Sequence, residues 1–237
     1  MSSRLLTSPI LRKPREYPFA DIPLPIKLFV AHAIDRAWKR IRLYAGESQG
    51  DLRKEAEVPL NSRLEQCLND MLDEEEYPEF SFSLFQHVVR GGEITSYDDR
   101  SLEKKPDLTF RLISVQPGID RSSDRGLFVE CKIVGPNHPI RDYCQKGLAR
   151  FVSGEYAWAM PCGMMIGYAW EEFTVEGQLS PYLLSVAAEG LNLSFPPRLA
   201  SSQSGACRLY ESGHRRVWTR LGKSHGDITV FHLWLSL

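Results

Sequence analysis

Two short stretches of the chain carry residue types that can do chemistry together. Lys105-Pro106-Asp107 is followed further along by Val129-Glu130-Cys131-Lys132. In an extended strand, residues two apart share a face, so Glu130 and Lys132 point together and Cys131 points the other way. Phe128, Val129, Ile133 and Val134 surround them, which sets two charges in an otherwise apolar strand. Charges are seldom buried unless they are paired or bind a metal. Asp107 opens the preceding strand, and antiparallel pairing would put its carboxylate beside Glu130. The chemistry that fits is metal-assisted phosphodiester hydrolysis. Two carboxylates give Mg²⁺ (or Mn²⁺ in its place) hard oxygen ligands and leave positions for water and a phosphate oxygen. The metal acidifies its bound water and neutralises phosphate charge. A lysine on the same face orients the attacking water or stabilises the pentavalent phosphorus, and its surroundings decide its protonation state. The bland alternative is a buried Glu130–Lys132 ion pair with Asp107 as a turn residue. A second Glu-x-Lys, Glu103-Lys104-Lys105, falls in a polar loop, where the charges are solvated.

Pro-Asp on one strand, Glu-x-Lys on the next and a helix after them resemble the PD-(D/E)XK nuclease superfamily, the restriction-endonuclease-like fold. The resemblance spans residues 60–170. It implies that Asp107 and Glu130 hold Mg²⁺, that the Cys131 carbonyl adds a ligand, and that Lys132 is the catalytic lysine. Members often use an acidic residue on the helix before the first strand, and Glu65 is the best-placed candidate. Glu65 has a second reading, because Ser62-Arg63-Leu64-Glu65 is also a capping box. Members often carry a polar residue on the helix after the motif, a role open to Gln145 or Lys146. The implied activity is that of a DNA endonuclease. Bacterial defence against foreign DNA is a setting such nucleases commonly have, and a homodimer or a partner protein of a multi-subunit system is a common assembly. The rival reading is an inactive restriction-fold module that binds nucleic acid or a partner protein.

The elements that must position these residues can be read from hydrophobic period and turn chemistry. Residues 1–26 hold Pro9, Pro14, Pro18, Pro23 and Pro25, the composition of an extended arm. Residues 26–44 follow helical spacing, with Val30, Ile34, Ala37, Ile41 and Tyr44 on one face. Arg36, Lys39, Arg40 and Arg42 lie opposite, as either a solvated face or one turned to nucleic acid or a partner. Residues 46–59 read as a polar linker and 62–72 as a second helix. Strands are expected at 80–90, 108–115, 127–134 and 163–170, with a helix at 142–158 weakened by Gly147 and Gly154. The run 163–170 is almost wholly apolar, as a strand buried on both faces would be. Further on, residues 182–188 suggest a short helix, and 208–210, 215–221 and 227–237 suggest strands. The sum is a mixed α/β fold: a restriction-endonuclease-like central mixed sheet flanked by helices, with an N-terminal arm and helix and C-terminal β additions. The expected division is 1–58 for the arm and basic helix and 59–237 for the nuclease-like domain.

His214, Arg215 and Arg216 sit together near a turn, where they would either grip phosphates beside the cut site or form a solvated hairpin. His232, between Phe231 and Leu233, reads as a satisfied core histidine. Tyr156, Trp158, Tyr168 and Trp170 read as core rather than as a base-stacking platform.

Composition bounds the rest. The 237 residues carry 29 Lys+Arg against 30 Asp+Glu, so the chain is no polycation; nucleic-acid binding would need segregated charge. With 43% hydrophobic and 25% charged residues, it is not disordered, collagen-like or coiled-coil. Five cysteines, an odd number without C-x-x-C spacing, argue against a disulfide framework or zinc ribbon and for reduced thiols in the cytoplasm. The absence of any apolar run of ~18 residues argues against a membrane span. Residues 1–13 lack a secretory signal pattern.

Overall fold

The chain builds one six-stranded sheet with helices laid against it. A computed structural model describes residues 19–47, 51–93, 105–113, 125–185, 188–201, 207–220 and 222–237. Most of the proline-rich arm and the Glu103 loop lie outside these residues.

The first helix, α1 (Leu24–Glu47), buries Val30, Ile34, Ala37, Trp38 and Ile41 against the rest of the core. Trp38 donates its indole N–H to the Ser236 carbonyl at 2.8 Å, so α1 shares a core with the sheet. Its cationic face is answered from within the protein. Arg40 pairs with Glu76 at 2.5 Å and Glu74 at 3.7 Å, Lys39 pairs with Asp35 at 2.7 Å, and the Arg36 guanidinium lies over the Tyr77 ring. The acidic run after the second helix thus supplies the partners of Arg40.

The second helix, α2 (Glu57–Asp73), starts five residues before the expected Ser62. Pro59 does not forbid this, because first-turn N–H groups have no intrahelical acceptor to lose. The N-cap is Ala56, with no side-chain cap, so Ser62 lies inside the helix and the expected capping box does not form. The expected strand at 80–90 is turns and isolated bridges instead. Val89 pairs with Thr109 and Phe85 with Leu112, along the outer edge of the first strand.

The sheet order is β1 (Leu108–Phe110), β2 (Leu127–Val134), β3 (Cys162–Ala169), β8 (Asp227–Ser236), β5 (Leu209–Arg215), β4 (Leu193–Leu199). β1 runs antiparallel to β2; β2, β3 and β8 run parallel; β5 and β4 are antiparallel to their neighbours. Every residue of β2 and β3 is buried, which fits strands covered on both faces. The crossover from β2 to β3 carries α3 (Ile140–Asp142), a π-helical stretch (Tyr143–Leu148) and α4 (Ala149–Val152). The expected helix thus ends six residues early, where Gly154 takes φ +78°. Gly147 has a packing reason to lack a side chain: a Cβ there would lie 2.5 Å from Met165 Cε and 3.3 Å from Lys132 Cγ. The remaining elements are a π-helical turn (Val175–Leu179), α5 (Ser180–Leu183) and a small pair of strands, β6 (Thr219–Arg220) and β7 (Lys223–Ser224).

Among the described residues, no helix is long and apolar enough to cross a membrane. The five cysteines are unbonded. Burial pushes the Cys162 thiol up to about 12, the reverse of what a thiolate nucleophile needs.

Candidate active site

Asp107, Glu130 and Lys132 do come together. The register pairs Leu108 with Val129, and one step further along the ladder Asp107 lies across from Glu130. Asp107 Oδ2 accepts the Cys131 backbone N–H at 2.8 Å, which ties the mouth of β1 to the middle of β2. Glu130 is the most enclosed charge of the group, with a side chain 2% exposed. Its Oε1 meets Lys132 Nζ at 2.9 Å and Arg150 Nη1 at 3.0 Å. Its Oε2 is buried without a hydrogen-bond partner.

Lys132 is held on three sides. Its ammonium reaches Glu130 Oε1, donates to the Cys131 carbonyl at 2.8 Å, and donates to Glu57 Oε2 at 3.0 Å. Glu57 is the first residue of α2, and its Oε1 also accepts the Ile133 N–H at 3.3 Å. Arg150, on α4, donates to the Tyr156 hydroxyl at 2.7 Å, and that hydroxyl donates to the Lys105 carbonyl at 2.9 Å. One chain of contacts therefore joins both strand mouths, the start of α2 and the end of the crossover helix.

The electrostatics follow from this crowding. Burial and the neighbouring Asp107 charge push the Glu130 carboxyl up to about 7, despite the two cations on its Oε1. Burial also raises Asp107, partly offset by the Cys131 N–H and Lys132. Burial alone would lower Lys132, but Glu130 and Glu57 more than compensate, so it is raised and stays protonated at neutral pH. Both carboxyls are thus held above their ordinary values, chiefly by burial.

Glu65 makes a different contact. Its Oε1 accepts the Arg90 N–H at 3.2 Å, so it ties α2 to the irregular 80–90 segment. The acidic side chain that α2 brings to Lys132 is Glu57. Gln145 and Lys146 lie on the exposed side of the π-helical stretch, with Gln145 3.4 Å from the Tyr182 hydroxyl and Lys146 paired with Asp142 at 2.8 Å. Arg150, further along the same helical crossover, is the residue that reaches Glu130.

The 214–216 trio is split by β5. Arg215 is exposed, but His214 and Arg216 are buried. Arg216 spans the Ala157, Trp158 and Met160 carbonyls at 2.8, 3.3 and 2.9 Å, which anchors the loop after α4 rather than offering a cation to a ligand. His214 belongs to a buried chain with His232. His214 Nδ1 lies 2.7 Å from the Leu191 carbonyl, so Nδ1 carries the proton and Nε2 accepts from Ser212 Oγ at 2.8 Å. Ser212 then accepts from His232 Nε2 at 2.7 Å, and His232 Nδ1 accepts from the Tyr143 hydroxyl at 2.9 Å. Every polar atom in this run has a partner of the right kind. Burial holds His214 down at about 4 and His232 at about 3, so both are neutral at pH 7.

Sequence reading missed Glu57, Arg150 and Tyr156 as members of the site. The signal for Glu57 was an acidic residue just before a first-turn proline; Arg150 and Tyr156 carried none beyond their types.

Among the described residues no three His, Cys, Asp or Glu side chains gather as a ligand set. What the site offers a divalent cation is the Asp107–Glu130 pair and the orphaned Glu130 Oε2. These hard oxygen donors suit Mg²⁺, which keeps several of its waters and needs few carboxylates. Comparisons with protein-family models, with curated proteins and with solved structures find no match for this chain.

Proposed function

We propose that this protein is a metal-dependent nuclease of the PD-(D/E)XK type, with Asp107 and Glu130 holding Mg²⁺ and Lys132 acting on the scissile phosphate. The observation that carries the reading is Glu130: a carboxylate buried in a central strand, facing a second carboxylate, with one oxygen unpartnered. Burying such a group without a partner is costly, and a cation would remove the cost. The element order also favours it, since a helix, an antiparallel strand pair and a crossover to a parallel strand carry the candidate residues. Asp107 and Glu130 orient and hold the ion. When bound, the ion supplies an acidified water and charge neutralisation at phosphate. Lys132, protonated and fixed by Glu57, contributes positive charge beside the reacting group rather than a base. DNA is the substrate class we favour, with defence against foreign DNA as a setting.

The test is plasmid cleavage with Mg²⁺ by the wild type, Asp107→Ala and Lys132→Ala. Loss of cleavage in both variants supports the reading; cleavage that persists unchanged in both sinks it.

One observation favours the rival. Lys132 already satisfies Glu130 Oε1, Glu57 and the Cys131 carbonyl, which is how a purely structural ion pair would look. In that case the fold binds nucleic acid or a partner protein without cutting. Calorimetry would then show no Mg²⁺ or Mn²⁺ binding, with salt-dependent DNA binding intact.

A further inference from the structure

We propose that Arg150 is a removable counter-ion: it occupies Glu130 in the metal-free protein, yields that carboxylate to the incoming cation, and then holds the substrate phosphate. The inference rests on the nuclease reading and assigns a residue that reading does not use.

Two cations share Glu130 Oε1, and they are not equally free to leave. Lys132 has an acceptor for each ammonium hydrogen, in Glu130, Glu57 and the Cys131 carbonyl, and its side chain is only 11% exposed. Its stem is also pinned beneath the helix at Gly147. Arg150 makes its two bonds from one nitrogen, Nη1, to Glu130 and to Tyr156. Its side chain is 38% exposed, so the guanidinium stands at the mouth of the site while Glu130 lies beneath.

A divalent ion on Glu130 would sit close to that guanidinium and be repelled by it, more strongly than either charge would be in water. Arg150 therefore competes with the metal for Glu130. Once displaced, a half-exposed guanidinium beside a metal and a protonated lysine is well placed for phosphate, which its planar fork matches. The Tyr156 hydroxyl, fixed to the Lys105 carbonyl, stays as a pivot for the movement.

The experiment measures Mn²⁺ affinity without nucleic acid, by paramagnetic resonance and calorimetry, and then plasmid cleavage at saturating Mn²⁺. The variants are Arg150→Ala, Arg150→Met, which keeps an apolar stem, and Arg150→Lys, which keeps the charge. Arg141→Ala, on an exposed residue of α3, is the control. We expect Ala and Met to bind Mn²⁺ roughly tenfold tighter or more, because a competing cation is gone. Their cleavage at saturating Mn²⁺ should fall about 100-fold, because a group on the phosphate is lost. Lys should lie between, and the control should match the wild type. Circular dichroism verifies folding, so a collapsed Ala variant leaves Met and Lys to decide. Unchanged or weaker Mn²⁺ binding in the Ala and Met variants, with a wild type that binds and cuts, overturns the role of Arg150 alone. A wild type that neither binds Mn²⁺ nor cuts overturns the nuclease reading and this inference with it.

Discussion

Two of the polar clusters buried among the described residues are built on opposite plans. In the β5–β8 cluster, Tyr143, His232, Ser212 and His214 pass hydrogen bonds in one direction and end on the Leu191 carbonyl. In the β1–β2 cluster, two carboxylates lie across from each other, two cations crowd one Glu130 oxygen, and the other oxygen has no partner. The first is a structural solution: polar atoms in the interior, each satisfied. The second leaves one carboxylate oxygen unmet. Burial of ionisable side chains is common to both, so burial alone does not separate them; the unpartnered Glu130 oxygen and the two cations on its neighbour do.

Paired substitutions break this comparison most sharply. Asp107→Asn should lower cleavage by about 10²–10³-fold, the scale for removing one electrostatic group from a preorganised site. Its melting temperature should hold or rise, because a buried carboxyl with a raised pKa is gone. Ser212→Ala should do the opposite. It strands His232 Nε2–H and His214 Nε2, at about 1–3 kcal/mol for each buried group left unpaired. Cleavage below the melting transition should be untouched. Thermal melts and plasmid assays on both variants check the pair, and two variants that lose stability alike would erase the distinction.

Acidity should pull the two clusters in opposite directions. His214 and His232 are held below the ordinary histidine value, so the unfolded chain binds more protons than the folded one. Their contribution is complete above pH 6.5 and is lost as pH falls toward about 4 and about 3. The cost is on the order of 3 kcal/mol for His214 alone. Glu130 is raised, so its contribution is complete below pH 4.5 and is lost as pH climbs through about 7, again on the order of 3 kcal/mol. Melting curves from pH 4 to 8 on the wild type and Glu130→Gln separate the two. The variant should lose the decline between pH 4.5 and 7 and keep the decline in acid. Mg²⁺ should flatten the same upper limb in the wild type; failure to do so would count against a cation at Glu130.

The smallest effect distinguishes the two glutamates of α2. Glu65→Gln weakens one hydrogen bond, to the Arg90 N–H, and should cost about 1 kcal/mol or less. Mn²⁺ affinity should not move. Glu57→Gln removes a carboxylate from Lys132 and should instead change the pH dependence of cleavage, because a partner that raises Lys132 is gone. Equal effects of the two substitutions on cleavage would restore Glu65 to the site.

The most legible part of the sequence was β2, because two charges in an apolar run are improbable unless they are paired or bind a cation. β3 was legible for the opposite reason, having no charged residue at all. The start of α2 was hidden by Pro59, which looks like a helix breaker and is harmless in a first turn. With that start misplaced, Glu57 fell in the expected linker instead of the helix. β4 was hidden by Pro196 and Pro197, tolerable because the strand is at the sheet edge. At residues 214–216 charge density does not mean exposure, because pairing of β5 with β8 and β4 turns His214 inward. No local pattern could reveal Arg150, because its partner Glu130 is twenty residues away and meets it only across the crossover.

The place of β8 has a consequence for an incomplete chain. It follows every other strand of the large sheet in sequence, yet it lies between β3 and β5. β8 is the strand that joins β1–β2–β3 to β5–β4; without residues 227–236 each set would have an open edge. The Asp107–Glu130 pair belongs entirely to the first set, but the Trp38 contact to Ser236 that fastens α1 requires β8. A chain cut before residue 227 would contain both members of the acidic pair but leave the edges of β3 and β5 unpaired, and unpaired edges are prone to aggregation.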